Sequence, residues 1–205
     1  MALSPARAAA LAKPVVFAAA LIPFALLASM IVSDELGPNP VETLNRYTGD
    51  WTLRFLLLTL AVTPVRSLTG WQLLIRFRRM LGLFAFFYAC LHFLSWILVD
   101  KVFDWDEIVK DVVKRPFITM GFTTFLLLIP LAATSTQGMV RRLGGRRWRA
   151  LHRLVYAAAV GGVVHFWWLV KSDIREPLLY AAILAVLLGY RVWVYRRRSS
   201  AVAAA

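Results

Sequence analysis

The chain contains three histidines, His92, His152 and His165, and each falls inside a long apolar run. Ionisable residues in apolar spans are rare and as a rule face a bundle interior, where they serve a site. A single histidine there could equally just hydrogen-bond a neighbouring helix. Two of these three lie at matched depth. His92 stands 12 residues into a run that begins near residue 80, ~18 Å along a helix. His165 stands 15 residues into a run that begins near residue 150, ~22 Å along. Both levels fall in the far half of a ~30 Å hydrocarbon core. Two neutral imidazoles facing each other across a bundle can hold a haem iron from both sides. Zinc is less suited, because it usually wants a third protein ligand, and the sequence places no acidic residue or second cysteine at that depth.

His152 stands apart, ~3 Å into its run and ~20 Å from His165 along the helix. That separation suits a second haem stacked across the membrane, with Met80, a water or a residue from elsewhere as its other ligand. His152 could instead contact a quinone or flavin, or be an interfacial histidine. Small residues precede the deeper pair: Gly82, Ala85 and Ala89 before His92, and Ala158, Gly161 and Gly162 before His165. They would let a planar ring approach the backbone, or let helices pack closely without one. Phe86, Phe87, Phe93, Trp96, Phe166, Trp167 and Trp168 could wall the site or form an interfacial belt. The single cysteine, Cys90, excludes a disulfide framework and any cluster held by four thiolates of this chain. It lies in an apolar run and reads as a small buried hydrophobe.

The elements that must carry these residues are helices in a membrane. Of 205 residues, 60% are hydrophobic and 17% charged, against ~25% charged in an ordinary soluble domain. Six runs are long enough to span a bilayer, at 14–32, 51–69, 80–99, 117–134, 150–170 and 177–195. The expected fold is an all-α integral membrane bundle of six helices, with tails at 1–13 and 197–205. Pro14, Pro116 and Pro177 mark helix starts; Pro23, Pro64 and Pro130 are tolerated kinks. Arg7 and Lys13 before the first run resemble a signal peptide, but the run is too long and no small-x-small site precedes Asp34. It reads as a retained span.

The net charge of +13 could suggest nucleic-acid binding. Its distribution argues otherwise. Arg7, Lys13, Arg66, Arg76, Arg78, Arg79, Arg141, Arg142, Arg146, Arg147, Arg149, Arg153, Arg191, Arg196, Arg197 and Arg198 all fall on one side of the alternating spans, with no acidic residue. The other side receives Arg46, Arg54, Lys101, Lys110, Lys114, Arg115, Lys171 and Arg175 together with all 11 acidic residues. Basic loops mark the cytoplasmic face, so both termini are expected inside and His92 and His165 near the outer surface. The arginines are topology determinants that contact anionic lipid; Gly144-Gly145 between arginine pairs could alternatively cradle a phosphate-bearing ligand.

Three stretches together resemble a known family. They are Arg78-Arg79-Met80-Leu81-Gly82-Leu83 leading to Tyr88-Ala89-Cys90-Leu91-His92-Phe93, then Thr134-Ser135-Thr136-Gln137 with Leu143-Gly144, Trp148 to Tyr156 and His165-Phe166, and Thr63-Pro64-Val65-Arg66. The pattern is similar to that of MsrQ (also called YedZ), the haem-binding membrane subunits of the bacterial periplasmic methionine-sulfoxide reductase system. These belong to the ferric-reductase-like transmembrane group, and the resemblance covers roughly residues 14–196. It implies a b-type haem protein of the inner membrane that takes electrons from the quinone pool and passes them to the periplasmic molybdoenzyme MsrP, which repairs oxidised methionines. It also implies an association with FMN, and it carries haem-associated roles onto His92, His152 and His165. The wider group has four such histidines and a cytoplasmic flavin/NADPH domain. This sequence has three and ends soon after its sixth run, which argues against direct NADPH oxidation.

The chain would then be an electron-transfer subunit and not the catalytic reductase. Its outer loop from Asp100 to Arg115, with Asp104, Asp106, Glu107 and Asp111, could dock a partner through a small contact, or be a solvated amphipathic loop. Two other classes compete: a histidine-dependent transporter or proton channel, and an assembly subunit that holds haem only for folding. The absence of an obvious inverted repeat and of carboxylates within the predicted spans argues against the first.

Overall fold

The computed structural model describes residues 5–170 and 172–203; Lys171, counted above with the acidic side, lies outside the described residues, as do residues 1–4 and 204–205 of the two tails. The described chain is all helical: α1 (Pro5–Val32), α2 (Pro40–Thr69), a 3-10 turn (Gln72–Arg76), α3 (Arg78–Ser95) running into a π turn (Trp96–Asp100), α4 (Trp105–Lys114), α5 (Pro116–Ala133), α6 (Gln137–Leu143), α7 (Gly145–Leu151), α8 (Leu154–Leu169) and α9 (Arg175–Ala203). Among the described residues, five helices are long and apolar enough to cross a membrane: Ala10–Val32, Pro40–Thr69, Arg78–Asp100, Pro116–Ala133 and Arg175–Arg197.

The fifth predicted run differs from expectation. Instead of one helix over 150–170, α7 ends at Leu151 and α8 begins at Leu154. Arg153 N bonds Ala150 O and Tyr156 N bonds Arg153 O, tight i→i−3 contacts that turn the chain. Side chains fix this break: Trp148 Nε1 donates to Thr134 O at 2.9 Å, so α7 folds against the end of α5. The remaining α8 has 16 residues, ~24 Å of helix, which is short for a span. It lies in the middle of the bundle, against α5, α9 and α2.

Other boundaries also move. Pro14 lies inside α1 rather than at its start, and α9 continues past 195 through the Arg196–Arg198 run. α2 starts eleven residues before the predicted 51, at Pro40. Asn39 caps it by accepting from Glu42 N, with proline at the first position, where its missing N–H leaves no extra group unpaired. The longer helix brings Asp50 inside the second apolar helix, paired with Arg54 at 3.6 Å. The expectation of spans free of carboxylate therefore fails.

Two antiparallel pairs form the frame, α2 with α3 and α5 with α8. In the first, Phe55 stacks on Tyr88 at 5.2 Å and on Phe84 at 5.7 Å. The pairs meet where Phe86 and Phe93 stack on Phe125, at 6.0 and 4.5 Å. α1 is apolar all round and is tied on by polar contacts at its Pro23 kink. The fully buried Tyr88 hydroxyl donates to Ala20 O at 2.8 Å and accepts from Phe24 N at 3.1 Å. Tyr47 Oη donates to Pro23 O at 3.0 Å.

At the acidic end, α4 covers the gap between α3 and α5. Asp104 caps it through Glu107 N. Asp111 is buried and pairs with Lys101 at 2.7 Å and Arg115 at 3.0 Å, while Glu107 pairs with Lys101 at 3.2 Å. Three of the four carboxylates expected to attract a partner thus serve the loop's own structure, leaving Asp106. The loop's surface is mixed: Val102, Phe103, Trp105, Val109 and Val113 are all exposed, beside exposed Asp106, Lys110 and Lys114. Val102 and Phe103 both have positive φ, 46° and 59°, a costly conformation for a β-branched residue.

Tyr88→Phe is expected to destabilise the protein by about 1–3 kcal/mol, by leaving two α1 groups without this partner; thermal unfolding in detergent checks it. The bond to Asp111 holds the Lys101 ammonium above its ordinary value of 10.5, against the opposing effect of burial and with further help from Glu107. Its stabilisation is therefore full below pH 10.5 and fades as pH rises through the raised folded value. Asp111→Asn should cost on the order of 3 kcal/mol and flatten that alkaline dependence of the melting temperature.

Candidate functional site

His92 on α3 and His165 on α8 face each other with ring centroids 6.1 Å apart and planes at 68°. Each ring is tied to the partner helix of its own pair. His92 Nδ1 lies 3.0 Å from Asn45 O on α2, and His165 Nδ1 lies 2.6 Å from Phe117 O on α5. A carbonyl oxygen only accepts, so both Nδ1 atoms carry the proton and both Nε2 atoms keep the lone pair. This is how outer-shell carbonyls prepare imidazoles as metal ligands. Further bonds hold the α2 side in place. Ser95 Oγ donates to Asn45 Oδ1 at 2.5 Å. Thr48 Oγ1 sits 3.4 Å from His92 Nδ1 while donating to Leu44 O.

The two halves repeat one device. The accepting carbonyl precedes its histidine by 47 residues in one pair and 48 in the other. In both, a glycine stands four residues beyond that carbonyl, Gly49 and Gly121, on the same helical face. A Cβ on Gly49 would come within 3.2 Å of His92 Cε1, and one on Gly121 within 2.7 Å of His165 Cε1 and Nδ1. The missing side chain lets the His165 ring lie against α5, and it spares the His92 ring a displacement of a few tenths of an ångström from α2. Sequence reasoning missed both glycines, along with Asn45 and Phe117. The available signal was a glycine at nearly the same distance before each of two histidines.

The small residues singled out from sequence do a different job. Gly82 faces Thr59 on α2 and Gly162 faces Leu53 on α2, each at 3.5 Å, while Gly161 faces Thr124 and Met120 on α5. Ala85, Ala89, Ala158 and Ala159 are buried in the core. They close helix–helix contacts. The aromatic residues divide similarly. Phe86 and Phe93 join α3 to α5, Phe87 meets Phe24 on α1 and Phe166 meets Tyr180 on α9. Trp167 and Trp168 point outward, as belt residues do.

His152 is not brought to the pair. It stands between α7 and α8 at the opposite end, stacked on Trp148 at 3.9 Å, with Nε2 3.0 Å from Thr134 Oγ1. The Thr134 hydroxyl donates its own hydrogen to Pro130 O at 2.6 Å, so it accepts from His152 Nε2. His152 therefore holds the opposite tautomer from the facing pair. Around it lie cations: Arg78 is within electrostatic reach of His152, Tyr156 and Arg191, and Arg191 lies over the Tyr156 ring at 5.4 Å. Met80 packs against the hydrophobic core.

Chemically, the facing pair offers two neutral nitrogen ligands and no more. Among the described residues no group of three or more His, Cys, Asp or Glu could hold a metal ion. The site therefore fits a metal that brings its remaining ligands with it, as a porphyrin iron does. Rings with centroids 6.1 Å apart would leave room for a metal held by both, at metal–nitrogen bonds of about 2 Å on each side.

Residues 48–163 match the family described as ferric reductase like transmembrane component, a segment that contains His92 and His152 and ends two residues before His165. Over most of its length the chain is similar to curated relatives named protein-methionine-sulfoxide reductase heme-binding subunit MsrQ. The relative from Herminiimonas arsenicoxydans is 58% identical over 192 residues, 92% of this chain and 88% of its own. That from Ralstonia nicotianae is 59% identical over 176 residues, 85% and 81%. That from Rhodospirillum rubrum is 55% identical over 191 residues, 92% of each. The chain belongs to the ferric-reductase-like transmembrane family and, within it, to the MsrQ group.

Proposed function

We propose that this chain is a b-type haem subunit of the bacterial inner membrane that carries electrons from the quinone pool outward to a periplasmic methionine-sulfoxide reductase of the MsrP kind. The observation that carries the reading is the facing pair His92 and His165, each with Nδ1 fixed by a backbone carbonyl and Nε2 left basic. The names of the relatives, which are heme-binding subunits, point the same way. Haem iron would supply a one-electron centre there. The chain's own part is to bind and orient it and keep water away. His92 and His165 would be the axial ligands. Asn45 and Phe117 would hold the ligand tautomer, and Gly49 and Gly121 would set the ring positions.

Direction follows from the charge map. The arginine-rich loops support a topology with both termini in the cytoplasm, in which the pair would lie near the periplasmic surface, where electrons would leave. The docking loop would be α4 with its neighbours; its exposed Val102, Phe103 and Trp105 beside exposed Asp106, Lys110 and Lys114 would make a partner surface of mixed apolar and charged character. His152 would serve a second haem at the cytoplasmic end by exchanging its bond to Thr134. FMN is a cofactor that the family resemblance brings with it.

The purified protein should show a reducible low-spin b-type spectrum. His92→Ala and His165→Ala should each abolish most of it, while His152→Ala should leave it and lower only the haem count by the pyridine haemochrome assay. An unaltered spectrum in both of the first two variants would sink the proposal, and an unaltered count in the third would remove the second haem. Gly121→Ala pushes His165 off Phe117 O and should weaken haem retention by about tenfold or more. Gly49→Ala, with its longer contact, should cost less. Titrating haem into variants from haem-depleted cells measures both.

A further inference from the structure

Two buried side-chain nitrogens have no acceptor among the described residues, Arg66 Nε and Trp96 Nε1. The Arg66 guanidinium still donates from Nη1 to Gln72 at 3.2 Å. The Trp96 indole has one N–H and nothing else to offer. Leaving it unmet costs about 1–3 kcal/mol, and in an apolar bundle no bulk water relieves that cost.

Trp96 is four residues beyond His92, so it shares a face of α3 with that ligand, one turn nearer the acidic end. Its ring packs on Phe93 at 6.1 Å, which places it toward the α3–α5 interface where Phe93 meets Phe122 and Phe125. It is also the residue at which α3 leaves α geometry. Trp96–Asp100 is a π turn, with Trp96 O accepting from Lys101 N at 2.9 Å. A π turn costs hydrogen-bond quality and occurs mostly at functional sites. Here it rotates Lys101 into its pairs with Asp111 and Glu107.

Haem carries two carboxylates on one edge, and each needs a donor when taken out of water. Three cations nearby in the chain are engaged, and Lys110 and Lys114 lie on the exposed side of α4. Lys101 is taken by Asp111 and Glu107, Arg115 by Asp111, and Arg54 by Asp50 and Tyr180. We propose that the Trp96 indole N–H is a positioning donor to a carboxylate of the haem held between His92 and His165, fixing the orientation of its carboxylate edge toward the acidic end and raising its reduction potential. The inference rests on the haem reading above. Its physical basis is that a hydrogen bond to the carboxylate withdraws negative charge from the ring, and negative charge there favours the oxidised iron.

The test uses full-length protein in detergent, wild type and Trp96→Phe, which keeps an aromatic ring and removes the N–H. Trp96→Phe should retain the low-spin bands, lower the midpoint potential and shift the carboxylate bending band in resonance Raman spectra. Both proteins are then obtained from haem-depleted cells and loaded with haem dimethyl ester, whose carboxylates carry no charge. The difference in potential should shrink or vanish. No difference with ordinary haem, or an equal difference with both forms, overturns the proposal. Should Trp96→Phe not fold, Trp96→Leu takes its place in the same two-haem comparison, and an equal difference in potential with both haems overturns the proposal. Loss of the bands in His92→Ala and His165→Ala, alongside a silent Trp96→Phe, would reject this inference while leaving the haem reading intact. Bands that persist in the histidine variants would reject the haem reading itself.

Discussion

The arrangement depends on two hydrogen bonds, from His92 Nδ1 to Asn45 O and from His165 Nδ1 to Phe117 O. In an apolar bundle an imidazole N–H must find an acceptor inside the protein, and here each finds the backbone of the adjacent helix. That choice fixes the tautomer, the ring position and the pairing of helices at once. It requires a glycine four residues after each accepting carbonyl, and it makes α2 with α3 and α5 with α8 the units of the bundle. The two imidazoles are then presented to one another by frames that are themselves held apart by the Phe86, Phe93 and Phe125 stack.

The same requirement explains the polar residues elsewhere. Tyr88 and Tyr47 spend their hydroxyls on the kinked part of α1. Arg191 donates to Leu187 O and Leu60 O, tying α9 to α2. The buried Lys101–Asp111 pair sets α4 across the mouth between α3 and α5. Buried ion pairs of this kind contribute little net stability but a great deal of specificity of position. Only Asp111 and Lys101 turn their charge inward, and the loop's outward surface mixes apolar side chains with exposed Asp106, Lys110 and Lys114. A count of carboxylates does not show that Asp104, Glu107 and Asp111 are engaged within the loop itself.

The difference between the two kinds of histidine is equally physical. His92 and His165 have Nε2 free because carbonyls hold Nδ1. His152 has Nε2 engaged because the Thr134 hydroxyl, itself donating to Pro130 O, can only accept from it. Three histidines of identical composition are separated into two tautomers by the acceptor each finds on α2 or at an end of α5.

The sequence by itself determined the helical class, the runs that become α1, α3, α5 and α9, the asymmetry of charge between the two ends, and the matched depth of His92 and His165. These follow from composition and from the fixed rise of a helix, which need no knowledge of neighbours. The start of α2 at Pro40 was less legible, because its first turns are polar and only Asn39 and Pro40 mark it. The break at His152 was hidden because an apolar run gives no sign of a turn that is made by Trp148 reaching Thr134. Which small residues stand beside the histidines, and which merely close the packing of helices, was decided by tertiary structure alone. Helical spacing says which residues share a face of one helix, whereas a ring lying against Gly49 or Gly121 depends on which helix stands opposite that face.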